Sequence, residues 1–186
     1  NVAPEGENSG ILGKARYMAP EVVTGTKMPS KQTDRYSLSV VLFLLFYGNH
    51  PLEGARVLAC PCMTEKYEKQ FYGSDAIFIY DPQNKSNLPV RGVHNNVMRK
   101  WPAFPELLRT AFVREFSQEC LTNPDKRCLE RDWQKTIQKV RDMLVVCPLC
   151  KEETFVENAQ SPRCVCCGNE FNVTGTLKIN DRHVLL

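Results

Sequence analysis

The chain has no long hydrophobic run. Its longest, Leu38–Tyr47 (LSVVLFLLFY), is about half of the ~20 residues a membrane helix needs, so no membrane partner is expected and a buried core helix is the reading. Charge of one sign is also scarce: 24 Lys and Arg against 21 Asp and Glu leave a net +3. That excess is too small to argue for nucleic acid or an acidic membrane surface. Histidine is sparse. His50, His94 and His183 are dispersed, with no serine or carboxylate at a spacing that would build a hydrolytic relay. Paired acids for glycosidic or two-metal work are not evident either. The start carries no charged-then-apolar signal pattern, and Asn rather than Met at position 1 leads to the expectation of a processed or excised segment.

Cysteine, by contrast, is abundant: nine in 186 residues, five of them between 147 and 167. An odd count with paired Cys-x-x-Cys steps favours metal binding in a reducing compartment over a disulfide framework, so a cytoplasmic location is expected. CPLC supplies Cys147 and Cys150, and RCVCCG supplies Cys164 and Cys167. Two such steps bring four sulfurs to one tetrahedron, a set that suits zinc and does not by itself exclude iron. The intervening KEETFVENAQSPR is long enough for a short hairpin, and Gly168 follows the second step, as a turn with positive φ would want. The pattern is that of a zinc ribbon or rubredoxin-like knuckle that caps the last helix or docks a partner. Its acid-rich loop disfavours nucleic acid. Cys60 and Cys62, separated by one residue, read as buried or partly buried thiols, and Cys120 and Cys128 as packing residues.

The rest of the chain reads as mainly α. Residues 1–12 are loop, residues 21–25 a helical turn after Pro20, and a helix is expected to start at Asp34 and run to Gly48, apolar almost all round and hence inside the core. Residues 49–100 read as largely irregular, with AIFIYDP as a brief strand-like piece. A helix is expected after the prolines of 101–105, with Leu107, Leu108, Ala111, Phe112, Glu115 and Phe116 in register, and another over 129–145 with Trp133, Ile137, Val140 and Leu144 on one face. The tail after 175 adds a strand or hangs loose. The expected division is 1–145 for the helical part and 146–186 for the ribbon and tail.

GKARYMAPEVV (13–23), followed by DRYSLSVVLFLLFYGNHPLEG (34–54), resembles the large helical lobe of the eukaryotic-type protein Ser/Thr kinases. The resemblance covers roughly residues 10–145, weakly over 55–100. IYDPQ (79–83) and the trailing four-cysteine ribbon resemble a bacterial subgroup of that family. The resemblance implies a fold, a protein-kinase-like large-lobe fragment with a small C-terminal β zinc ribbon, and it implies roles. Tyr17–Glu21 would close the activation segment. Glu21 would pair with Arg127, offered by TNPDKR, in a buried bidentate contact. Asp34 would hold the backbone of the catalytic loop. Tyr36 stands where the family commonly has Trp, and Ser39 where it has Gly. Gly13 and Lys14 would lie on the substrate side of the activation segment, and Lys14 replaces the Thr whose hydroxyl touches the catalytic Asp and Lys. Ser9, the sole hydroxyl before Tyr17, is the candidate phosphosite.

The chain holds no Gly-x-Gly-x-x-Gly loop, no Val-Ala-x-Lys, no His-Arg-Asp and no Asp-Phe-Gly. Phosphoryl transfer needs metal-holding acids, a phosphate-pairing Lys and a positioned base. The resemblance therefore implies that the catalytic residues lie upstream, that ATP and Mg belong to the full-length parent alone, and that this fragment alone is inactive. The implied partners are the N-terminal kinase lobe of the same parent and a protein substrate or signalling partner. Two alternatives stand beside this: a pseudokinase signalling scaffold, motivated by Lys14, and a zinc-binding helical protein-interaction module, which predicts Glu21 and Arg127 far apart.

Overall fold

The computed structural model describes residues 13–157 and 161–172, and the backbone of 176–179 and 182–185. The chain divides into two compact units, Asn1–Thr136 and Ile137–Leu186. Ser9, the candidate phosphosite, lies outside the described residues.

The first unit is helical. Its elements are α1 (Pro20–Val23), α2 (Lys31–Tyr47), α3 (Ala55–Leu58), α4 (Glu65–Lys69), α5 (Asn95–Ala103), α6 (Glu106–Glu115), α7 (Gln118–Thr122) and the start of α8 (Glu130–Asp142). Helix α2 begins before the expected Asp34. Ser30 is its cap: the Ser30 side chain accepts from the Thr33 N–H, and the Thr33 side chain accepts from the Ser30 N–H. This reciprocal pair satisfies two end donors at once, which leaves Asp34 a full turn inside. Gly48, in left-handed backbone at φ 68°, ends the helix as an unstrained C-terminal residue.

The core is aromatic. Phe43 of α2 lies with ring centroids 5.5 Å from Phe78, 5.1 Å from Phe112 and 6.0 Å from Phe116. All three contacts are edge-on, the arrangement the ring quadrupole favours. Helix α2 is not wrapped on every side, contrary to the expectation. Tyr36, Val40, Phe43 and Tyr47 are buried, but Val41 is 51% exposed and Leu45 73%.

Residues 76–79 are buried as expected of AIFI but form no strand. Their backbone is satisfied singly rather than by a partner strand. Ile79 N–H donates to the Pro51 carbonyl, the Asn87 amide to the Ile77 carbonyl and the Gln118 amide to the Ala76 carbonyl. Helix α5 was expected to be irregular chain. It forms because Pro102 falls in its last turn, where little helix remains to be broken.

In the second unit, β1 (Leu144–Val146) pairs antiparallel with β2 (Glu153–Phe155), Val146 opposite Glu153. Leu144 belongs to β1, not to the helical face assigned to it, because α8 ends at Asp142. Strands β3 (Thr176–Ile179) and β4 (Arg182–Leu185) form a second antiparallel pair. Among the described residues no helix is long and apolar enough to cross a membrane.

Candidate metal centre and ion-pair clasp

The sulfurs of Cys147, Cys150, Cys164 and Cys167 all lie within 4.8 Å of one another. Two knuckles of the same design place them. In the first, the N–H of Lys151 donates to the Cys147 carbonyl at 3.0 Å, and that of Cys147 to the Glu152 carbonyl at 2.9 Å. In the second, the N–H of Gly168 donates to the Cys164 carbonyl at 2.9 Å, and that of Cys164 to the Asn169 carbonyl at 2.9 Å. Each turn is closed by a residue in left-handed backbone, Lys151 at φ 64° and Gly168 at φ 72°. Gly does this at no steric cost and Lys does not. The β1–β2 pair carries the first knuckle and an isolated bridge between Arg163 and Glu170 the second. The hydroxyl of buried Thr154 accepts from the Val165 N–H at 3.0 Å and ties β2 to the second knuckle.

Ligand bonds of ~2.3 Å from sulfur to a tetrahedral ion imply sulfur–sulfur edges of about 3.8 Å. The structure has 3.9 Å for Cys147–Cys167 and 3.6 Å for Cys150–Cys164, so the four residues fit a tetrahedral ion. The N–H groups of Cys167 and Cys166 point at Cys164 Sγ. Chiefly the first of them, then the second, holds the Cys164 thiol below its ordinary value, toward the form a metal needs, while the neighbouring Cys150 thiol is pushed up. Cys166 is exposed and outside the set. Cys60 is half-buried, while Cys62, expected to be at least partly buried, is exposed because its loop carries it to the surface. Cys120 and Cys128 are buried; burial first, then the Glu115 carboxylate, pushes the Cys128 thiol up to about 12.

In the first unit, Glu21 and Arg127 meet across 106 positions of sequence. Arg127 Nη1 donates to Glu21 Oε1 at 2.8 Å and Nη2 to Oε2 at 2.7 Å. This fork-to-fork geometry is the strongest form of the pair. The Arg127 side chain is 0% exposed and that of Glu21 10%. Arg127 also donates to the carbonyls of Gln32 and Cys120, and its guanidinium lies over the Tyr36 ring, 5.4 Å from the centroid. The guanidinium thus clasps α1, the start of α2 and the end of α7.

Tyr17 is half-buried, and its carbonyl accepts from the Ser37 hydroxyl at 2.7 Å. Gly13 and Lys14 are exposed ahead of the Ala15–Tyr17 turn. Asp34 is exposed on α2. It is not brought to the clasp, and Leu38, Val41 and Leu45 continue its helical face at intervals of four, three and four residues.

Two features were not legible as functional or structural sites. Glu115 is fully buried: its Oε1 accepts from the Ser39 hydroxyl at 2.9 Å and its Oε2 from the Cys128 N–H at 2.7 Å, while Trp133 Nε1 donates to Ser39 Oγ. Burial pushes its carboxyl up. The signal available was a glutamate in register with Leu108, Phe112 and Phe116. His50 is buried in the turn after α2. Its Nδ1 accepts from the Leu52 N–H at 3.2 Å, so its Nε2 carries the proton donated to the Arg16 carbonyl at 2.6 Å. Burial holds its pKa down to about 4. It locks the segment before α1 onto this turn, joined there by the Arg16–Glu53 ion pair.

No protein-family model, no curated protein and no solved structure matches this chain.

Proposed function

We propose that the chain is the C-terminal part of the helical lobe of a eukaryotic-type protein Ser/Thr kinase of a bacterial subgroup, followed by a zinc ribbon. The parent transfers the γ-phosphoryl of Mg·ATP to a protein hydroxyl, with the catalytic residues in chain upstream of residue 1. The observation that carries the reading is the buried bidentate contact of Glu21 with Arg127, because it ties the Tyr-Met-Ala-Pro-Glu segment to the far end of the lobe. The same contact weighs against an unrelated zinc-binding helical module, which has no need for it. The residues present hold and orient: Arg127 fixes the end of the activation segment, and Ser37 and His50 anchor its backbone at Tyr17 and Arg16.

A second observation supports an upstream partner. On the Asp34 face of α2, Asp34, Val41 and Leu45 are exposed and Leu38 is half-buried in the first unit. An apolar helix face of this kind is stable when another element covers it. In this reading the N-terminal part of the same lobe covers it and Asp34 accepts from that segment's backbone. The ion at the four cysteines is zinc, held as a structural ion that supplies folding energy to a unit with little core of its own.

Lys14 favours a second reading, a pseudokinase scaffold, since an ammonium is donor-only where the family's Thr can also accept. The test is phosphoryl transfer by the full-length protein with Mg and radiolabelled ATP on a generic basic substrate. Transfer by full-length protein, with none by residues 1–186, supports the kinase. Its absence with nucleotide bound supports the scaffold. Sustained transfer by residues 1–186 alone overturns both.

A further inference from the structure

The loop between α3 and α4 carries two cysteines outside the set of four at the metal centre. We infer that Cys60 and Cys62 form a reversible dithiol–disulfide site that exchanges with low-molecular-weight disulfides such as glutathione disulfide. The loop reads ACPCMT over residues 59–64, and both of its thiols are free. The inference does not depend on the kinase reading.

The two thiols differ in anchoring and access. Cys60 follows the last turn of α3, where its N–H donates to the Val57 carbonyl at 3.1 Å and the Ala59 N–H to the Ala55 carbonyl at 3.0 Å. It is half-buried. Cys62 is exposed, and so are its neighbours Pro61 and Met63. The Cys60 thiol already turns toward the second cysteine, donating to the Cys62 carbonyl at 3.2 Å. Two residue steps span at most about 7 Å of chain, and a bend at Pro61 and Cys62 shortens that reach. A disulfide takes Cα atoms about 4.4–6.8 Å apart. Pro61 has one backbone angle fixed in advance, so less freedom is lost when the ring closes.

An accessible thiol with a resolving thiol beside it turns an encounter with a disulfide into a closed bond. The Cys62 thiolate attacks one sulfur of glutathione disulfide. The small molecule's S–S bond breaks, a disulfide forms between Cys62 and glutathione, and one glutathione leaves. The Cys60 thiolate then attacks Cys62 Sγ, and the second glutathione leaves. Two protein thiols are oxidised and one small disulfide is reduced, and the protons of Cys60 and Cys62 end on the two released glutathione thiols. Excess reduced glutathione reverses both steps. In a reducing compartment such a pair rests as the dithiol and closes under oxidation. The remaining cysteines lack one half of the arrangement. Cys120 and Cys128 are buried. Cys166 is exposed, but the thiol at the same spacing from it, Cys164, is one of the four that converge.

Trypsin cuts after Arg56 and Lys66, so the peptide of residues 57–66 holds both cysteines and no other. The full chain, purified without chelator, is equilibrated in glutathione buffers of rising disulfide fraction, quenched in acid, alkylated and digested, and this peptide is read by mass spectrometry. The expected product is lighter than the reduced peptide by two hydrogens and carries neither an alkyl group nor glutathione. Excess reduced glutathione should restore the dithiol. Cys60→Ser should leave Cys62 as a glutathione adduct. Cys62→Ser should slow the reaction of the remaining thiol by about tenfold or more, because Cys60 is half-buried and access governs the attack. Both positions lie in a surface loop, and the product formed by the wild-type chain decides the matter even if a variant fails to fold. An adduct at Cys62 with Cys60 still free, no closed pair in a large excess of glutathione disulfide, or a disulfide joining two chains would each overturn the site. An undiminished rate in Cys62→Ser would overturn the assignment of Cys62 as the thiol that reacts first.

Discussion

Replacing Glu21 with Ala strands a guanidinium that is fully enclosed. Arg127 keeps two carbonyls, those of Gln32 and Cys120, and the Tyr36 ring, but loses both charge-assisted bonds at 2.7 and 2.8 Å. Removing one partner of a buried pair costs about 3–5 kcal/mol, because the remaining charge stays desolvated. The surviving carbonyl contacts place the expected loss toward the lower end, about 3 kcal/mol. Removing both partners, as in Glu21→Ala with Arg127→Met, should cost less than the sum of the single losses, by at least about 1 kcal/mol of coupling. Trp101 and Trp133 both lie in the first unit, so urea unfolding followed by tryptophan fluorescence reads this unit directly. A single-variant loss under about 1 kcal/mol, the worth of a solvent-exposed pair, or strictly additive losses, would refute the argument that the clasp is a desolvated, structure-setting contact.

Three further predictions concern other parts of the molecule. Cys167→Ser should reduce bound metal from about one ion per chain, zinc on the reading above, toward none, read by elemental analysis after dialysis, and should release amide exchange protection in the two knuckles around Cys147–Cys150 and Cys164–Cys167; wild-type protein prepared without chelator that holds no metal would contradict it. Lowering the pH should destabilise the first unit through His50. Its folded pKa, about 4, lies below the ordinary value near 6.5, so the unfolded chain binds the extra proton first. Stability is full above about pH 6.5 and is lost as pH falls toward 4, by about 3 kcal/mol in all. His50→Gln should flatten that slope, and an unchanged slope would contradict it. Glu115→Ala should leave the Cys128 N–H without its acceptor, while the Ser39 hydroxyl keeps the Arg35 carbonyl at 2.8 Å, and open a small void, for a loss of about 2–4 kcal/mol in urea unfolding; a change within about 0.5 kcal/mol would show that the buried network is dispensable.

The parts of this molecule that the sequence announces are those whose geometry is local. Each knuckle is a turn of a few residues, so Cys-x-x-Cys states its own shape even though a glycine closes only the second and Lys151 the first, and the four sulfurs do converge. The aromatic core follows from period as well: Leu108, Phe112 and Phe116 share a helical face and are all buried. What depends on distant chain is less visible. Ser30 caps α2 through Thr33, a Ser-x-x-Thr pair, whereas the familiar reciprocal cap has Glu or Gln at the second position. Glu115 looks like a register error until Ser39, 76 positions away, is seen to donate to it. Residues 76–79 have strand-like composition, yet among the described residues no strand pairs with them. Scattered carbonyl partners take over the bonding, and no local pattern encodes that. The meeting of Glu21 and Arg127 has no periodic signal either, and only the motif's resemblance pairs them.

The open face of α2 offers the most direct test that the chain is one part of a larger lobe. A photo-crosslinking residue placed at Leu45, which is 73% exposed in the first unit, is irradiated in the full-length protein and its products are mapped by mass spectrometry. The account predicts intramolecular crosslinks to chain upstream of residue 1. Crosslinks confined to solvent products, or only to a second molecule, would contradict it.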